Sequence, residues 1–114
     1  MKTFNVRVLD TLYKVSVGTR SELNLWDDQL GNCNFYNKTI QVVTDLSEVV
    51  EPDVSYSGVV KEVILHELCH AFLYESGRVK DAEGEEWAEY LSVIIPKIVS
   101  AEEWFHNLLD NDSI

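Results

Sequence analysis

The chain has 114 residues, 46% of them hydrophobic, with only two prolines and five glycines. This length and composition predict one globular domain, residues 1–114, whose core needs no disulfide bonds. The formal net charge of −11 argues against direct nucleic-acid binding, because neutralising phosphates requires clustered lysines and arginines. The charge leaves one weak alternative function, that of an acidic decoy for a basic partner.

The sequence also bears on the compartment. Residues 1–9 alternate polar and apolar side chains and lack the basic segment and long apolar run of a secretory signal. No stretch has the length and apolar character of a membrane span, so no membrane partner is expected. Cys33 and Cys69 lie far apart without metal-type spacing, and we therefore expect free thiols and a cytoplasmic protein.

The first half of the chain predicts a small antiparallel sheet. Phe4–Leu9 and Leu12–Val17 each alternate polar residues with β-branched or aromatic ones, which is the pattern of a β-hairpin. Thr39–Thr44 has the composition of a further strand.

A short helix is expected between the hairpin and the later strand. It covers residues 22–30, is capped near Ser21, and ends before Gly31. Gly31-Asn32 and Asn37-Lys38 are turn-like pairs, so they bracket a short segment before the later strand.

A long, largely buried helix is predicted over Val59–Glu75. Ser57 is a suitable N-cap, and Gly77 is well placed to end the helix. The segment is apolar on several faces, so the helix should be the central element of the domain. Any ionisable side chain on such a helix needs a specific partner.

Two further helices are predicted downstream. A charged connector, Arg78–Gly84, leads to a second long helix over Glu85–Val99, in which Pro96 is a potential kink. A short terminal helix is expected over Ala101–Leu109, because acidic residues near its start favour the helix dipole.

The central helix carries His66-Glu67-Leu68-Cys69-His70, an H-E-x-x-H motif. Residues four apart share one helix face, so both imidazoles can reach the same ion. Neutral imidazole nitrogens suit Zn²⁺, which makes zinc the expected cofactor. Glu67 borders the open side of the metal, where it can act as general base, taking a proton from zinc-activated water and passing it to a departing amine.

A catalytic zinc site normally has a third protein ligand. A third histidine at the H-E-x-x-H-x-x-G-x-x-H position is excluded, because Leu73 and Ser76 occupy the glycine and histidine positions. His106 lies on a different predicted helix and is interpreted as a surface residue. We choose Glu85, which starts a helix that can cross the motif helix closely at Ala88. Three other carboxylates remain open as the third ligand: Asp81, Glu83 and Glu86.

Glu89 lies one turn after Glu85 on the same predicted helix. We expect its carboxylate to accept a hydrogen bond from the second ring nitrogen of a ligand histidine, which would orient that ring. A solvated helix face is the alternative for each of these carboxylates.

His66-Glu67-Leu68-Cys69-His70 followed by Glu85-Glu86-Trp87-Ala88-Glu89 resembles the gluzincin pattern, in which H-E-x-x-H precedes E-x-x-[small]-[acid] on a later helix. The wider stretch Ile64–Lys97 is similar to small phage- and prophage-encoded metallopeptidases, which would act in the host cytoplasm. The resemblance implies roles for five residues: the zinc ligands His66, His70 and Glu85, the general base Glu67, and the acid Glu89 behind the ligands.

The motif and the resemblance together predict an α+β fold, a minimal zincin-like domain. It would have a small antiparallel β-sheet, a central H-E-x-x-H helix and a second long helix that supplies the third ligand. The expected function is zinc-dependent hydrolysis of a peptide bond in a peptide or protein substrate, which would pair with an exposed strand, Thr39–Thr44. Four tyrosines are candidates for the oxyanion donor: Tyr36, Tyr56, Tyr74 and Tyr90.

The alternative function is not enzymatic. In that interpretation zinc mainly ties the two long helices together, and the domain binds and regulates a host or phage protein. Replacing Glu67 by glutamine distinguishes the two functions, because only a peptidase needs the Glu67 carboxylate.

Overall fold

The computed structural model describes residues 1–25, 28–45 and 56–98. Within these ranges the predicted α+β class is confirmed, with a four-stranded sheet and four helices. The elements in chain order are β1 (Lys2–Val8), β2 (Thr11–Gly18), α1 (Arg20–Leu23), β3 (Gly31–Asn34), β4 (Thr39–Val43), α2 (Tyr56–Glu75), α3 (Val79–Glu83) and α4 (Glu86–Ile98).

The sheet is mixed, so the prediction of an antiparallel sheet is wrong. Its strand order is β1-β2-β4-β3. The predicted hairpin of β1 and β2 is confirmed, and β3 and β4 are also antiparallel. However, β4 lies parallel to β2, with Val15 beside Ile40. Alternation within a strand shows which face is buried, but it does not show in which direction two hairpins associate.

One face of the sheet forms the core with α2. Alternate residues of β1, β2 and β4 point to this face, as the pleat of a strand requires. The buried side chains of the sheet are Phe4, Val6, Val8, Tyr13, Val15, Val17, Ile40, Val42 and Val43. Those of α2 in the same cluster are Val60, Ile64, Leu68 and Ala71. The central position predicted for this helix is therefore confirmed.

The short helix predicted over residues 22–30 has the wrong start and the wrong length. α1 begins after Thr19, whose side chain accepts a hydrogen bond from the backbone N–H of Glu22. The Glu22 carboxylate accepts from the N–H of Thr19 in return, which completes a capping box. Asn24 then adopts a left-handed conformation, with φ of 57°, and ends the helix after one turn.

The motif helix α2 begins at Tyr56, three residues before the predicted start. Ser57 therefore lies inside the helix and is not its N-cap. The predicted end at Gly77 is confirmed, since Gly77 has a φ of 92° and follows directly on the last turn. The N–H groups of Gly77 and Arg78 donate to carbonyls of that turn, which is how a left-handed glycine closes a helix.

The charged connector predicted over Arg78–Gly84 contains a short helix, α3, which was not predicted from the sequence. The second long helix, α4, begins at Glu86, close to the predicted start. The carbonyl of Glu85 accepts a hydrogen bond of 2.9 Å from the N–H of Glu89. Glu85 is thus the N-cap residue of α4, at the point where the chain turns back towards α2.

α4 continues through Pro96 to Ile98, so the proline does not interrupt it. The terminal helix predicted over Ala101–Leu109 lies outside the described residues, as does His106. Within the described ranges, no helix combines the length and the apolar character needed to cross a bilayer.

Candidate metal centre

His66 and His70 on α2 meet Glu85, the N-cap residue of α4, in one cluster. His66 Nε2 lies 2.7 Å from Glu85 Oε2. His70 Nε2 lies 3.2 Å from the same oxygen and 3.2 Å from His66 Nε2. Ligand atoms about 2.0–2.1 Å from a tetrahedral zinc ion are about 3.3 Å apart. The two separations from His70 Nε2 are close to this value, whereas the 2.7 Å between His66 Nε2 and Glu85 Oε2 is shorter and is that of a hydrogen bond.

The tautomer of His70 is set by a backbone contact. His70 is buried, and its Nδ1 lies 2.7 Å from the carbonyl oxygen of Ala82 on α3. A carbonyl only accepts, so Nδ1 donates the proton of the neutral ring. Nε2 then carries a lone pair and points into the cluster, as a metal ligand must.

The chemistry of the donor set fits a cation. With Nδ1 protonated, His70 Nε2 is an acceptor, and it faces the Glu85 carboxylate, which also only accepts. Two acceptors 3.2 Å apart repel each other unless a metal ion or a proton lies between them. Two imidazoles and one carboxylate are a ligand set that suits Zn²⁺. The residues present are therefore compatible with the metal expected from the motif.

Glu67 lies buried beside the cluster. It is 7% exposed, and its carboxylate forms no hydrogen bond within the described part of the chain. Burial raises the pKa of this carboxyl group, the imidazoles of His70 and His66 oppose that rise, and Glu85 adds to it. A buried carboxylate normally has a hydrogen-bond partner within the protein. The oxygens of Glu67 instead open to the space beside the cluster.

Two clefts open beside the cluster, one lined by His66 and the other by His70, with volumes of about 440 and 300 Å³. The first also contains Glu62 and the second also contains Glu83, and we name them the Glu62 cleft and the Glu83 cleft. Four residues line both: Gln29, Gly31, Glu67 and Glu85. A larger hollow of about 620 Å³ lies at Lys14 and Asn34, but it contains no ligand residue and is not part of this centre.

The edge strand β3 lies close to the motif helix because residue 31 is glycine. A Cβ atom at Gly31 would be 2.8 Å from Val63 Cγ1 and 3.2 Å from Glu67 Cγ. Residues 31–33 of β3 line the Glu83 cleft, together with Glu67 and His70. The exposed strand beside the centre is therefore β3.

The strand predicted to bind substrate, Thr39–Thr44, corresponds to β4 and is not exposed. It pairs with β2 on one side and with β3 on the other. That prediction is wrong. The composition of a strand indicates that the strand is buried, but it does not indicate whether the strand lies at the edge or in the middle of the sheet.

Glu85 is the acidic residue that joins the histidines. Partial burial raises the pKa of its carboxyl group, but the hydrogen bond with His66 and the electrostatic interactions with His70 and His66 outweigh this effect, so the pKa is lowered. Asp81 instead accepts a hydrogen bond of 2.7 Å from Arg78. Glu83 and Glu86 are exposed and contribute no atom to the cluster.

Glu89 is exposed on α4, and its carboxylate contacts neither histidine by a hydrogen bond within the described ranges. For His70, the acceptor behind the ring is the carbonyl of Ala82. Sequence reasoning missed this group, and no sequence signal could have found it, because every residue carries a carbonyl.

The tyrosines considered as oxyanion donors lie away from both clefts where the structure describes them. Tyr36 is 89% exposed, Tyr74 stacks on Phe35 at 4.5 Å between ring centroids, and Tyr90 is exposed. The side chain of Tyr56 lies outside the described part of the chain.

Comparisons of the chain with protein-family models, with curated proteins and with solved structures give no match. The likeness to gluzincins and to phage metallopeptidases therefore stays a prediction. Function is therefore inferred from the geometry of four residues: His66, Glu67, His70 and Glu85.

Proposed function

We propose that the protein is a zinc-dependent peptidase in which His66, His70 and Glu85 hold the metal. The observation that carries this proposal is the convergence of three ligand atoms, at 2.7 to 3.2 Å, next to a buried carboxylate that faces open clefts. When bound, zinc polarises a carbonyl group and lowers the pKa of water to about 7. The remaining steps belong to the protein's own side chains.

Glu67 is the general base of the proposed reaction. It follows the ligand His66 directly and lines both clefts, so its carboxylate is within reach of whatever occupies them. It takes a proton from the attacking water and later donates a proton to the departing amine. Because no internal hydrogen bond engages this carboxylate in the described residues, both oxygens are available for the transfer.

The substrate is an extended peptide that pairs with the edge of β3 that no other strand among the described residues occupies. An unpaired strand edge offers backbone donors and acceptors in a regular row, which hold a peptide in register. Gly31 allows this edge to lie close to Glu67 and Val63, so a paired peptide would pass the metal centre. The pairing replaces the role first expected of Thr39–Thr44.

Metal analysis of purified protein tests the ligand set. We expect one zinc ion per chain in the wild type and its loss in His66→Ala, His70→Ala and Glu85→Ala. Glu86→Ala is the matched control, because it removes the neighbouring exposed carboxylate that contributes no atom to the cluster. Retention of zinc in Glu85→Ala would contradict the ligand set and direct attention to Glu86, Glu83 or Asp81.

Cleavage of a complex peptide mixture, followed by mass spectrometry, tests the reaction. We expect the zinc-loaded wild type to cleave peptides and Glu67→Gln to bind zinc normally while losing about 10²- to 10⁴-fold of the rate. Full cleavage by Glu67→Gln would overturn the role of the base.

A structural role for the metal is the second candidate. The ligands come from α2 and from the N-cap of α4, so a bound ion would join the two helices whether or not chemistry follows. Absence of cleavage by zinc-loaded wild type, together with full biological function of Glu67→Gln, would favour this non-enzymatic module.

A further inference from the structure

We propose that the two clefts select peptides that carry lysine or arginine on each side of the scissile bond. This inference rests on the proposed peptidase function and names its substrate class. Besides Glu67 and Glu85, which line both clefts, Glu62 lines the cleft that contains His66 and Glu83 lines the cleft that contains His70. No lysine or arginine among the described residues lines either cleft.

The clefts are more than an acidic patch of surface. Glu67 is 93% buried and has no hydrogen-bond partner within the described residues, yet it lines both clefts. Its oxygens open into the clefts and are engaged by no described residue, so they are available to a polar group of a ligand that enters either cleft. Glu62 and Glu83 then determine which charge that ligand carries.

Glu62 is well placed to bind a basic side chain at one flank of the scissile bond. It precedes His66 by one helical turn of α2, so the two residues share a helix face. Its carboxylate is exposed, while Leu30 and Val63 form apolar parts of the same cleft. A lysine or arginine has the matching form, with an apolar stem and a charged end.

Glu83 provides the corresponding group at the other flank. It is the last residue of α3 and is exposed, and its cleft also contains the ring of Phe35. That ring is held in place by stacking on Tyr74, with 7° between the ring planes. An aromatic wall beside a carboxylate favours a cation, particularly a guanidinium group.

No ion pair engages Glu62 or Glu83 within the described residues. A zinc ion of charge +2 is balanced by Glu85 and Glu67, each of charge −1. Arg78, which precedes α3, is engaged by Asp81 at 2.7 Å and by the ring of Trp87 at 5.0 Å, and Lys80 of α3 lines neither cleft. The field in the clefts therefore attracts basic side chains, within a chain whose net charge is −11.

The test uses peptides that share one sequence and differ only in the two residues flanking the scissile bond, which are Lys, Gln or Glu. At low salt we expect kcat/KM to be about tenfold higher for the double-Lys peptide than for the double-Gln peptide. Each exposed charge pair should contribute about three- to fivefold, and added salt should reduce the preference.

Two variants test the two flanks of the scissile bond separately. Glu62→Gln should remove the Lys preference at one flank, and Glu83→Gln should remove it at the other. Asp10→Asn is the matched control, because it removes one negative charge from the β1–β2 turn, which lines neither cleft. It should leave the preference at both flanks unchanged.

Binding of the same peptides to zinc-loaded Glu67→Gln, measured by fluorescence anisotropy, separates the two proposals. Equal cleavage of Lys, Gln and Glu peptides would overturn the charge selection and leave the peptidase function standing. Absence of cleavage with binding that still depends on Glu62 and Glu83 would overturn the peptidase function and uphold the selection of basic ligands.

Discussion

His70 acquires its role from two contacts made by opposite sides of one imidazole ring. Nδ1 meets the carbonyl of Ala82 at 2.7 Å, and Nε2 meets Glu85 and His66 at 3.2 Å. The first contact determines which nitrogen carries the proton, and the second uses the nitrogen that remains. The carbonyl of Ala82 on α3 thus orients His70 on α2 for the metal-binding role proposed for it.

Gly31→Ala should destabilise the protein at the contact of β3 with α2. A methyl group there would lie 2.8 Å from Val63 Cγ1 and 3.0 Å from the carbonyl oxygen of Gln41, so β3 or the helix must move. We expect the free energy of unfolding in urea to fall by about 1–3 kcal/mol.

Two variants make this explanation testable. Val63→Ala in the Gly31→Ala background removes the closest atom and should restore part of the loss. Gly84→Ala is the control, because a Cβ there would find its nearest neighbour at 3.9 Å and the backbone φ is −95°. If Gly84→Ala costs as much as Gly31→Ala, steric contact is not the cause.

Glu75→Gln should lower stability at neutral pH by breaking a charged hydrogen-bond network. The Glu75 carboxylate accepts from Thr11 Oγ1 at 2.8 Å, from Tyr13 OH at 2.7 Å and from Lys38 Nζ at 2.7 Å. Its side chain is only 13% exposed, so Lys38 would lose its counter-charge in a half-buried place. We expect a loss of about 1–3 kcal/mol in urea unfolding at pH 7.

The same network gives a pH dependence of known sign. The hydrogen bond from Lys38, followed by that from Tyr13, holds the pKa of Glu75 below its ordinary value of 4.5. A carboxyl group with a lowered folded-state pKa contributes stability above its unfolded-state pKa and loses it as the pH falls through the folded-state pKa. The difference between wild type and Glu75→Gln should therefore be largest at neutral pH and shrink below about pH 4.

Glu62→Gln is the control for this pH series, since Glu62 is an exposed glutamate on the same helix. It should change the stability by no more than about 0.5 kcal/mol at any pH. A deficit of Glu75→Gln that stays constant down to pH 2 would contradict the assignment.

At the scale of elements, the crossing of α4 over α2 brings Glu85 to His66 and His70. Ala88 is fully buried at this crossing and packs with Leu65 and Cys69 of α2. A small side chain allows two helix backbones to approach closely. The crossing lies within one turn of Glu85, so it carries this carboxylate to the histidines.

Ala88→Leu should weaken zinc binding without touching a ligand. The larger side chain must push α4 away from α2, which costs about 1–3 kcal/mol of stability and displaces Glu85. We expect zinc affinity, measured by competition with a chelating dye, to fall by about 10- to 100-fold. Val93→Leu enlarges a side chain on the exposed face of α4 and should leave the affinity unchanged. Unchanged affinity in Ala88→Leu would show that the crossing does not position Glu85.

At the scale of the whole molecule, a bound metal would connect parts of the chain that are joined only by α3 and its flanking residues. His66 and His70 belong to the helix that covers the sheet, whereas Glu85 begins the helix that packs on its outer side. A ligand that binds only the folded state stabilises it by mass action.

Addition of zinc should therefore raise the thermal unfolding midpoint, and a chelator should reverse the rise. At a free zinc concentration of 100 times Kd we expect about 2.7 kcal/mol of stabilisation, which calorimetry would measure. His66→Ala should show no rise, and Mg²⁺ should have no effect on the wild type, because Mg²⁺ prefers oxygen ligands. An equal rise in His66→Ala would place the stabilising ion elsewhere.

Much of the fold follows from local patterns. Alternation over the first two strands predicted their hairpin, and Gly77 predicted the end of α2, because both depend on residues close together in the chain. The one-turn helix α1 is harder to predict from the sequence. Its start depends on a reciprocal cap at Thr19, although Ser21 is an equally reasonable N-cap by residue type, and its end depends on the left-handed conformation of Asn24.

The sequence by itself determined the helix that presents His66, Glu67 and His70, because positions four apart on an α-helix must share a face. The tertiary structure decided the rest of the centre. It brought Glu85 to the histidines. The acceptor for His70 Nδ1, a role expected of Glu89, is the backbone carbonyl of Ala82. The strand at the edge of the sheet is β3 and not β4. These outcomes depend on how helices cross and strands pair over long separations, and no local periodicity records them.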